Sequence, residues 1–262
     1  MSDCFFTTND GQWFQPTEHS RGPWDEHACH AGPPTGLLAR AVEQLFPEHR
    51  LSRLTVNLQR PVPFAGFSVT ANTVRRGRTV CLSEASLLDQ DGRSIITAAG
   101  LHLKPAEPCD FPTHHRDLGK PDDALPGDFP IRQTLHDKPA FNGNGVSVRY
   151  PAGQDSSPGP TRAWMKTVPL LRNETASPFQ RICPLADCGN AFGRNAEPGE
   201  VTFMNADLTL ILHRDPVGEW LGTDSVNYWE PDGIGLADAL LFDAQGPVGR
   251  AVQTLVIRQI HG

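Results

Sequence analysis

The sequence predicts an α+β fold made of two tandem repeats, each a long helix wrapped by a curved antiparallel sheet. Three observations predict it. First, residues 54–104 align on residues 208–258 without a gap, at a constant offset of 154. Leu54-Thr55 recurs as Leu208-Thr209, Leu58 as Leu212, Arg60 as Arg214 and Leu82 as Leu236. Ala85, Leu87, Asp89, Gly92 and Leu101 recur as Ala239, Leu241, Asp243, Gly246 and Leu255. Second, each copy shows one helical run followed by alternating runs of strand period. Third, 38% of residues are hydrophobic and 20% charged, so the chain can fill a real core. A duplicated unit of this kind packs as a pseudo-dimer, and its two copies can diverge in chemistry.

The elements follow in order. Residues 12–31 hold Trp13 and Trp24 among turn formers and read as an extended segment and loop. Gly32-Pro33-Pro34 opens a helix over Thr35–Phe46, because proline in a first turn loses no hydrogen bond. Leu37, Leu38, Ala41, Val42 and Leu45 keep helical spacing, and Pro47 ends the run. Leu54, Val56 and Leu58 alternate with polar residues, as in a half-buried strand. Strands are expected at 67–75, 79–89 and 94–103, the last two joined by the turn Gln90-Asp91-Gly92-Arg93. Residues 105–160 are rich in Pro, Asp and Gly with little periodicity, and read as a surface connection. Thr161–Thr167 is a strand around Trp164. Ser177-Pro178 starts the second helix with a good N-cap and a good first residue, and Gly189-Asn190 ends it. Strands at 201–213, 219–229, 233–243 and 247–259 complete the second copy. The organisation is therefore an N-terminal repeat over 1–106, a connection over 107–160 and a C-terminal repeat over 161–262. Such a wrapped helix is the hot-dog architecture, and two in one chain make a double hot-dog.

Composition excludes several classes. A net charge of −7 and a pI near 5.8 argue against nucleic acid and anionic membranes as partners. No secretory signal or membrane span is read, so a cytoplasmic location is expected. Cys4, Cys29, Cys81, Cys109, Cys183 and Cys188 form no CxxC pair and are expected as reduced thiols. His27, Cys29 and His30 lack a second ligand cluster, so no metal is expected. No P-loop, dinucleotide fingerprint or GxSxG elbow is present, and no cofactor is implied.

Several motifs carry a resemblance. His30-Ala31-Gly32-Pro33-Pro34 precedes Leu37-Leu38-Ala39-Arg40-Ala41, and Thr55–Pro63 forms the following strand. The second half holds Ser177-Pro178, Ala186-Asp187, Asn205-Ala206-Asp207-Leu208-Thr209, His213-Arg214 and Gly249–Gln253. Together they resemble the acyl-CoA thioesterase II-like, double hot-dog branch of the thioesterase superfamily, over both repeats but not most of 105–160. The resemblance implies an aspartate on the second helix, a small polar residue on the next strand and a glutamine on the last strand. These fall on Asp187, Asn205 and Gln253. Asn205 departs from the usual hydroxyl, though an amide still offers two donors and an acceptor. At the ungapped offset, Asn205 faces Leu51 and Gln253 faces Ala99 in the first copy, which suggests one site per chain, built mainly from the second half.

The reaction implied is hydrolysis of an acyl thioester, on CoA or a related carrier. Asp187 activates water, Asn205 and Gln253 hold the water and carboxylate, and backbone N–H groups near Gly32 meet the oxyanion. Gly32 and His30 are candidate substrate contacts, and Arg75, Arg76 and Arg78 are candidates for the CoA phosphates, and equally a solvated hairpin. Arg60 and His213-Arg214 read as structural or as contacts to an anionic ligand. Structural roles fit the same residues: Asp187 as a helix end, Gln253 on a solvent-facing edge, Asn205 at a bulge, His30 in packing or capping. Two other functions remain: a scaffold that binds an acyl or polyketide-like ligand without hydrolysing it, and a hot-dog dehydratase or hydratase. The latter needs a His–Asp or His–Glu pair, which is not evident in the second helix. By resemblance, a homodimer or larger homo-oligomer is expected.

Overall fold

The computed structural model describes residues 3–132 and 134–260. The first half contains β1 (Phe6–Thr7), β2 (Trp13–Pro16), β3 (Ala28–Cys29), α1 (Gly32–Glu43), β4 (Arg50–Leu58) and β5 (Val62–Pro63). It continues with β6 (Phe67–Arg75), β7 (Val80–Leu88) and β8 (Ser94–Leu103). The second contains β9 (Leu125–Gly127), β10 (Val146–Tyr150), β11 (Thr161–Thr167), α2 (Pro178–Ala186) and α3 (Gly189–Phe192). It ends with β12 (Val201–Asn205), β13 (Asp207–Leu212), β14 (Leu221–Trp229), β15 (Ile234–Asp243) and β16 (Gly246–Gln259). Both halves are the expected helix on an antiparallel sheet.

The sheet is continuous. Its strand order is β1-β2-β6-β7-β8-β4-β13-β16-β15-β14-β11-β10-β9, with β12 also on β16. The two repeats join where β4 lies antiparallel to β13, and Thr55 stands opposite Thr209. These two residues are repeat equivalents, 154 apart, and their hydroxyls meet at 3.3 Å. The local two-fold therefore runs between them. α1 and α2 lie side by side against the concave face, and one apolar core, including Leu38, Leu54, Leu87, Leu185, Leu210 and Leu241, crosses the seam.

The repeat extends to irregularities. β4 carries a bulge at Ser52 in its pairing with β8. Ala206, its equivalent, interrupts the second copy between β12 and β13, whose pairings with β16 differ by one residue. The constant offset fails only in the last strand. Thr55 pairs with Ala99, but its equivalent Thr209 pairs with Val252. The cause is the final hairpin. Five residues separate the paired Leu88 and Ser94, whereas four separate Phe242 and Pro247. Gln253 thus corresponds to Gly100, not to Ala99. The burial pattern agrees, since Gln253 and Gly100 are buried and Ala99 is exposed. A Cβ on Gly100 would collide with Ser83 Oγ and crowd His102 Nε2, which share a buried 2.8 Å hydrogen bond.

The segment 107–160 differs from the plain connection expected. β9 and β10 extend the sheet beyond β11, and Phe141–Gly145 forms one π-helical turn. Phe129, Ile131, Phe141, Val148 and Tyr150 are buried in the core. Val146, Val148 and Tyr150 do alternate with Ser147 and Arg149 at strand period, but Phe129, Ile131 and Phe141 stand singly and supply their burial without a period to reveal it.

Candidate active site

The site lies where the start of α1 meets the end of α2. Ser177 caps α2 by accepting the Gln180 N–H at 3.1 Å. Asp187 follows the last residue of α2, still in helical conformation at φ −79° and ψ −5°. Its side chain is directed towards Gly32. A Cβ on Gly32 would stand 2.9 Å from the Pro184 Cα and 3.1 Å from the Asp187 Cβ, so only glycine lets the helices approach this closely.

Two of the expected residues hold the carboxylate of the third, Asp187. The Asn205 amide nitrogen donates to Asp187 Oδ1 at 2.9 Å and to the Asp207 carbonyl at 3.2 Å. The Gln253 amide nitrogen donates to the Asp187 carbonyl at 3.1 Å and to Oδ1 at 3.3 Å. Gln253 Oε1 accepts the Asn190 N–H at 3.0 Å, which anchors the amide from the α3 side. Gln253 is buried on an interior strand rather than on a solvent-facing edge.

The fourth partner comes from the first repeat. His30 Nδ1 lies 3.2 Å from Asp187 Oδ2 and also accepts the Gly32 N–H at 3.2 Å. The imidazole stacks on Phe141 with centroids 4.1 Å apart. The sequence therefore hid a His–Asp pair, because its members sit in different repeats. Its supposed absence no longer argues against lyase chemistry.

Burial dominates the electrostatics. It pushes the Asp187 carboxyl up from 3.8 to about 7, against hydrogen bonds from Asn205, the Gly32 N–H and Gln253. It pulls the His30 imidazole down from 6.5 to about 4. Both shifts favour neutral forms. Near neutral pH His30 is therefore neutral, and Asp187 beside it is poised to accept or release a proton. Cys29, close by, has its thiol pushed up to about 12 by burial and is no nucleophile.

Asp187, His30 and Asn205 line a cavity of about 560 Å³. Phe203, Phe129, Ile131 and Phe141 give it apolar walls, with Trp24 and Arg60 also lining it. Phe129, Ile131 and Phe141 come from the segment read as a connection, and no pattern in the sequence marked them.

The arginines of the β6–β7 turn do not come here. Arg76 stacks over Phe46 at 4.7 Å and donates to the Leu45 carbonyl at 3.0 Å, just beyond the far end of α1. A helix of 12 residues puts that end ~18 Å from Gly32. Arg75 and Arg78 flank Arg76 in the chain, and none of the three lines the cavity. Arg60 does, and comparison of the repeats shows why it is free to. Its equivalent Arg214 is clamped by Asp243 through two 2.6 Å bonds, whereas Arg60 makes no ion pair among the described residues.

Comparisons with known proteins bear on the family and the fold. Profiles of the acyl-CoA thioesterase N-terminal and C-terminal domains match residues 20–103 and 120–257. No curated protein matches the chain. Among solved structures, a protein named provisionally as a thioesterase from Novosphingobium aromaticivorans is 16% identical, with a TM-score of 0.72 over 98% of this chain and 99% of that one. A hot-dog protein of unknown function from Alicyclobacillus acidocaldarius is 17% identical, at 0.70 over 97% and 96%. An acyl-CoA thioesterase II from Mycobacterium marinum is 15% identical, at 0.65 over 99% and 97%. At such identities the structures speak for the fold alone. The two profile matches, one in each repeat, carry the assignment: the chain belongs to the acyl-CoA thioesterase family, with both hot-dog units in one polypeptide.

Proposed function

We propose that the protein hydrolyses an acyl thioester with Asp187 as the general base. The observation that carries this reading is a buried carboxylate, poised near neutrality at a cavity wall and held by Asn205 and Gln253. Ionised Asp187 takes a proton from water as the water oxygen attacks the thioester carbon. Collapse of the intermediate breaks the C–S bond, and the same proton passes to the leaving thiolate. Asn205 and Gln253 keep Oδ1 engaged, which leaves Oδ2, on the His30 side, to receive the proton. Pro33 and Pro34 have no N–H, so the chief donor that the α1 start has for the oxyanion is the Gly32 N–H, which must first leave His30 Nδ1, its acceptor at 3.2 Å. Arg60 replaces the turn arginines as the candidate contact for CoA phosphates. In the same reading, residues 107–160 close the acyl cavity between the repeats at 1–106 and 161–262.

The test is thiol release from a panel of short, medium, long, branched and aromatic acyl-CoAs. Wild type should turn over at least one class. Asp187→Ala and Gln253→Ala should lose it, the former by about 10²–10⁴-fold. Retained turnover in Asp187→Ala would sink the reading. Arg60→Ala should raise KM for the CoA thioester and leave the N-acetylcysteamine thioester unaffected, since that carrier has no phosphates.

One observation favours a second reading. A His30–Asp187 pair at 3.2 Å from opposite repeats is what a dehydratase or hydratase uses to move a proton beside a thioester carbonyl. Incubation with a 3-hydroxyacyl and a 2-enoyl thioester separates the two. Their interconversion without thiol release would choose the lyase.

The exposed side chains Tyr228, Ile234, Leu236 and Val256 lie on neighbouring strands. We propose this face for the homodimer or larger assembly, which sedimentation of Leu236→Lys beside wild type would check.

A further inference from the structure

The donors around the Asp187 carboxyl are largely committed. The Gly32 N–H is on His30 Nδ1 at 3.2 Å. Both Asn205 Nδ2 hydrogens are taken, by Asp187 Oδ1 at 2.9 Å and by the Asp207 carbonyl at 3.2 Å. Gln253 Nε2 is also on Asp187. Water adding to a thioester drives negative charge onto the carbonyl oxygen, and that charge needs a donor held in place beforehand.

Asn190 has one to give. It follows Asp187 by about one helical turn, in α3, whose other faces are occupied. Gly189 faces Gln253 and Ala239, and Gly193 faces the β14 backbone at Ser225 and Val226. Phe192 packs on Phe129 and Tyr150, with centroids 5.5 and 6.4 Å away. Residues two apart leave a helix on opposite sides, so Asn190 points away from Phe192. It lines the Asp187 cavity with Phe203 and Asn205 of β12. Its side-chain amide is partly exposed there and has no hydrogen-bond partner among the described residues. Its main chain, by contrast, is tied at both polar groups. The N–H donates to Gln253 Oε1 at 3.0 Å, and the carbonyl accepts from the buried Asn227 Nδ2 at 2.8 Å. A free amide on a fixed backbone is a preorganised donor. It stands on the Gln253 side of Asp187, while Oδ2 is on the His30 side. A carbonyl carbon at Asp187 can therefore meet water from one side and a donor from the other.

We propose that Asn190 is a further catalytic residue of the hydrolysis proposed above, on which this inference rests: its Nδ2–H donates to the thioester carbonyl oxygen. As the water oxygen bonds to the carbonyl carbon, the π pair moves onto that oxygen, and the hydrogen bond strengthens without transfer of its proton. Collapse re-forms the C=O bond and expels the thiolate.

Kinetics and infrared spectroscopy of the full chain test it. Asn190→Ala should lower kcat about 10²–10³-fold, as loss of an oxyanion donor does. KM should stay within about threefold of wild type, because the contact gains its strength in the transition state. The midpoint of the pH profile should not move, since Asp187 keeps its own partners. The infrared probe is the dethia analogue of the acyl-CoA hydrolysed fastest: a ketone with CH₂ for sulfur and a ¹³C carbonyl, which cannot be cleaved. Its bound carbonyl band should lie at lower wavenumber in wild type than in Asn190→Ala. Asn190→Leu keeps the bulk without the donor, should behave like Asn190→Ala, and serves if the smaller residue loosens α3. Asp187→Asn should keep the wild-type band, so the contact is read whether or not Asp187 is the base. Wild-type kcat or a wild-type band in the folded Asn190 variants would overturn this proposal alone. A displaced pH midpoint would also overturn it, by showing that Asn190 acts through Asp187. No turnover of any acyl-CoA, or no binding of the ketone, would overturn it together with the hydrolytic reading.

Discussion

Asp187 is held between opposing demands, and pH separates them. The proposed hydrolysis needs the carboxylate, while burial favours the acid, with the balance at about 7. We expect kcat/KM to rise with pH through an apparent pKa near 7 and then level. A flat profile between pH 5 and 8 would remove Asp187 as the base. Stability should run the opposite way. The folded carboxyl titrates near 7 and the unfolded one near 3.8, so between these values the folded state binds more protons. This group's contribution is therefore lost as pH rises from about 4 to 7, and above that the penalty reaches a few kcal/mol, at about 1.4 per unit. Asp187→Asn removes it. The variant should melt above wild type at pH 8, with the gap closing towards pH 4. His30 acts at the acid end: its folded value near 4 lies below 6.5, so its contribution is lost as pH falls through that window. A gap in melting temperature that stays constant across pH would refute the assigned shift. The type and position of Asp187, Asn205 and Gln253 were legible in the sequence. The perturbed acidity was not, since it depends on what buries the group.

Two helix ends and a loop make the site. α1 contributes Gly32 where its backbone meets α2, and the nearest obstacles to a Cβ are the Pro184 backbone atoms, at 2.9 and 3.0 Å. Backbone of a packed helix yields little, so Gly32→Ala must force α1 and α2 apart by a few tenths of an ångström. His30 moves with one helix and Asp187 with the other. We expect kcat to fall roughly 10²-fold, because small displacements of reacting groups are that costly. Stability should drop by about 1–3 kcal/mol, as in overpacked cores. Wild-type kcat in this variant would show that the close approach serves packing alone. Helices and strands were legible because each carries its own period: Leu37, Leu38, Ala41 and Val42 for α1, Leu54, Val56 and Leu58 for β4. Phe129, Ile131 and Phe141 were not, because a wall built of single residues has no period. The pairing of Gln253 with Gly100 was also hidden. One residue fewer in a hairpin shifts the last strand without disturbing the matches before it.

At the scale of the whole molecule, the duplication has produced one body whose Asp187 cluster draws on both copies. The first copy holds Leu51 and Gly100 where the second holds Asn205 and Gln253, and it fills the space beneath Gly100 with the buried Ser83–His102 bond. The second copy in turn locks Arg214 to Asp243, while Arg60 stays free for the cavity. Each repeat has kept what the other dispensed with, so neither makes the site alone. The seam between β4 and β13 should then bind the halves energetically as well as geometrically. Leu210 is fully buried there, opposite Leu54, and belongs to the core that both repeats share. Leu210→Ala should cost about 2–5 kcal/mol, as other buried leucine truncations do. The informative part is how the loss is distributed. Trp13 and Trp24 report on the first half, Trp164, Trp220 and Trp229 on the second, and far-UV dichroism on both. In a cooperative body, fluorescence of variants keeping tryptophans in only one half, and dichroism, move together to a lower midpoint. Two transitions, with only the second half shifted by Leu210→Ala, would mean that the repeats fold as separate units and that the His30–Asp187 pair depends on their docking.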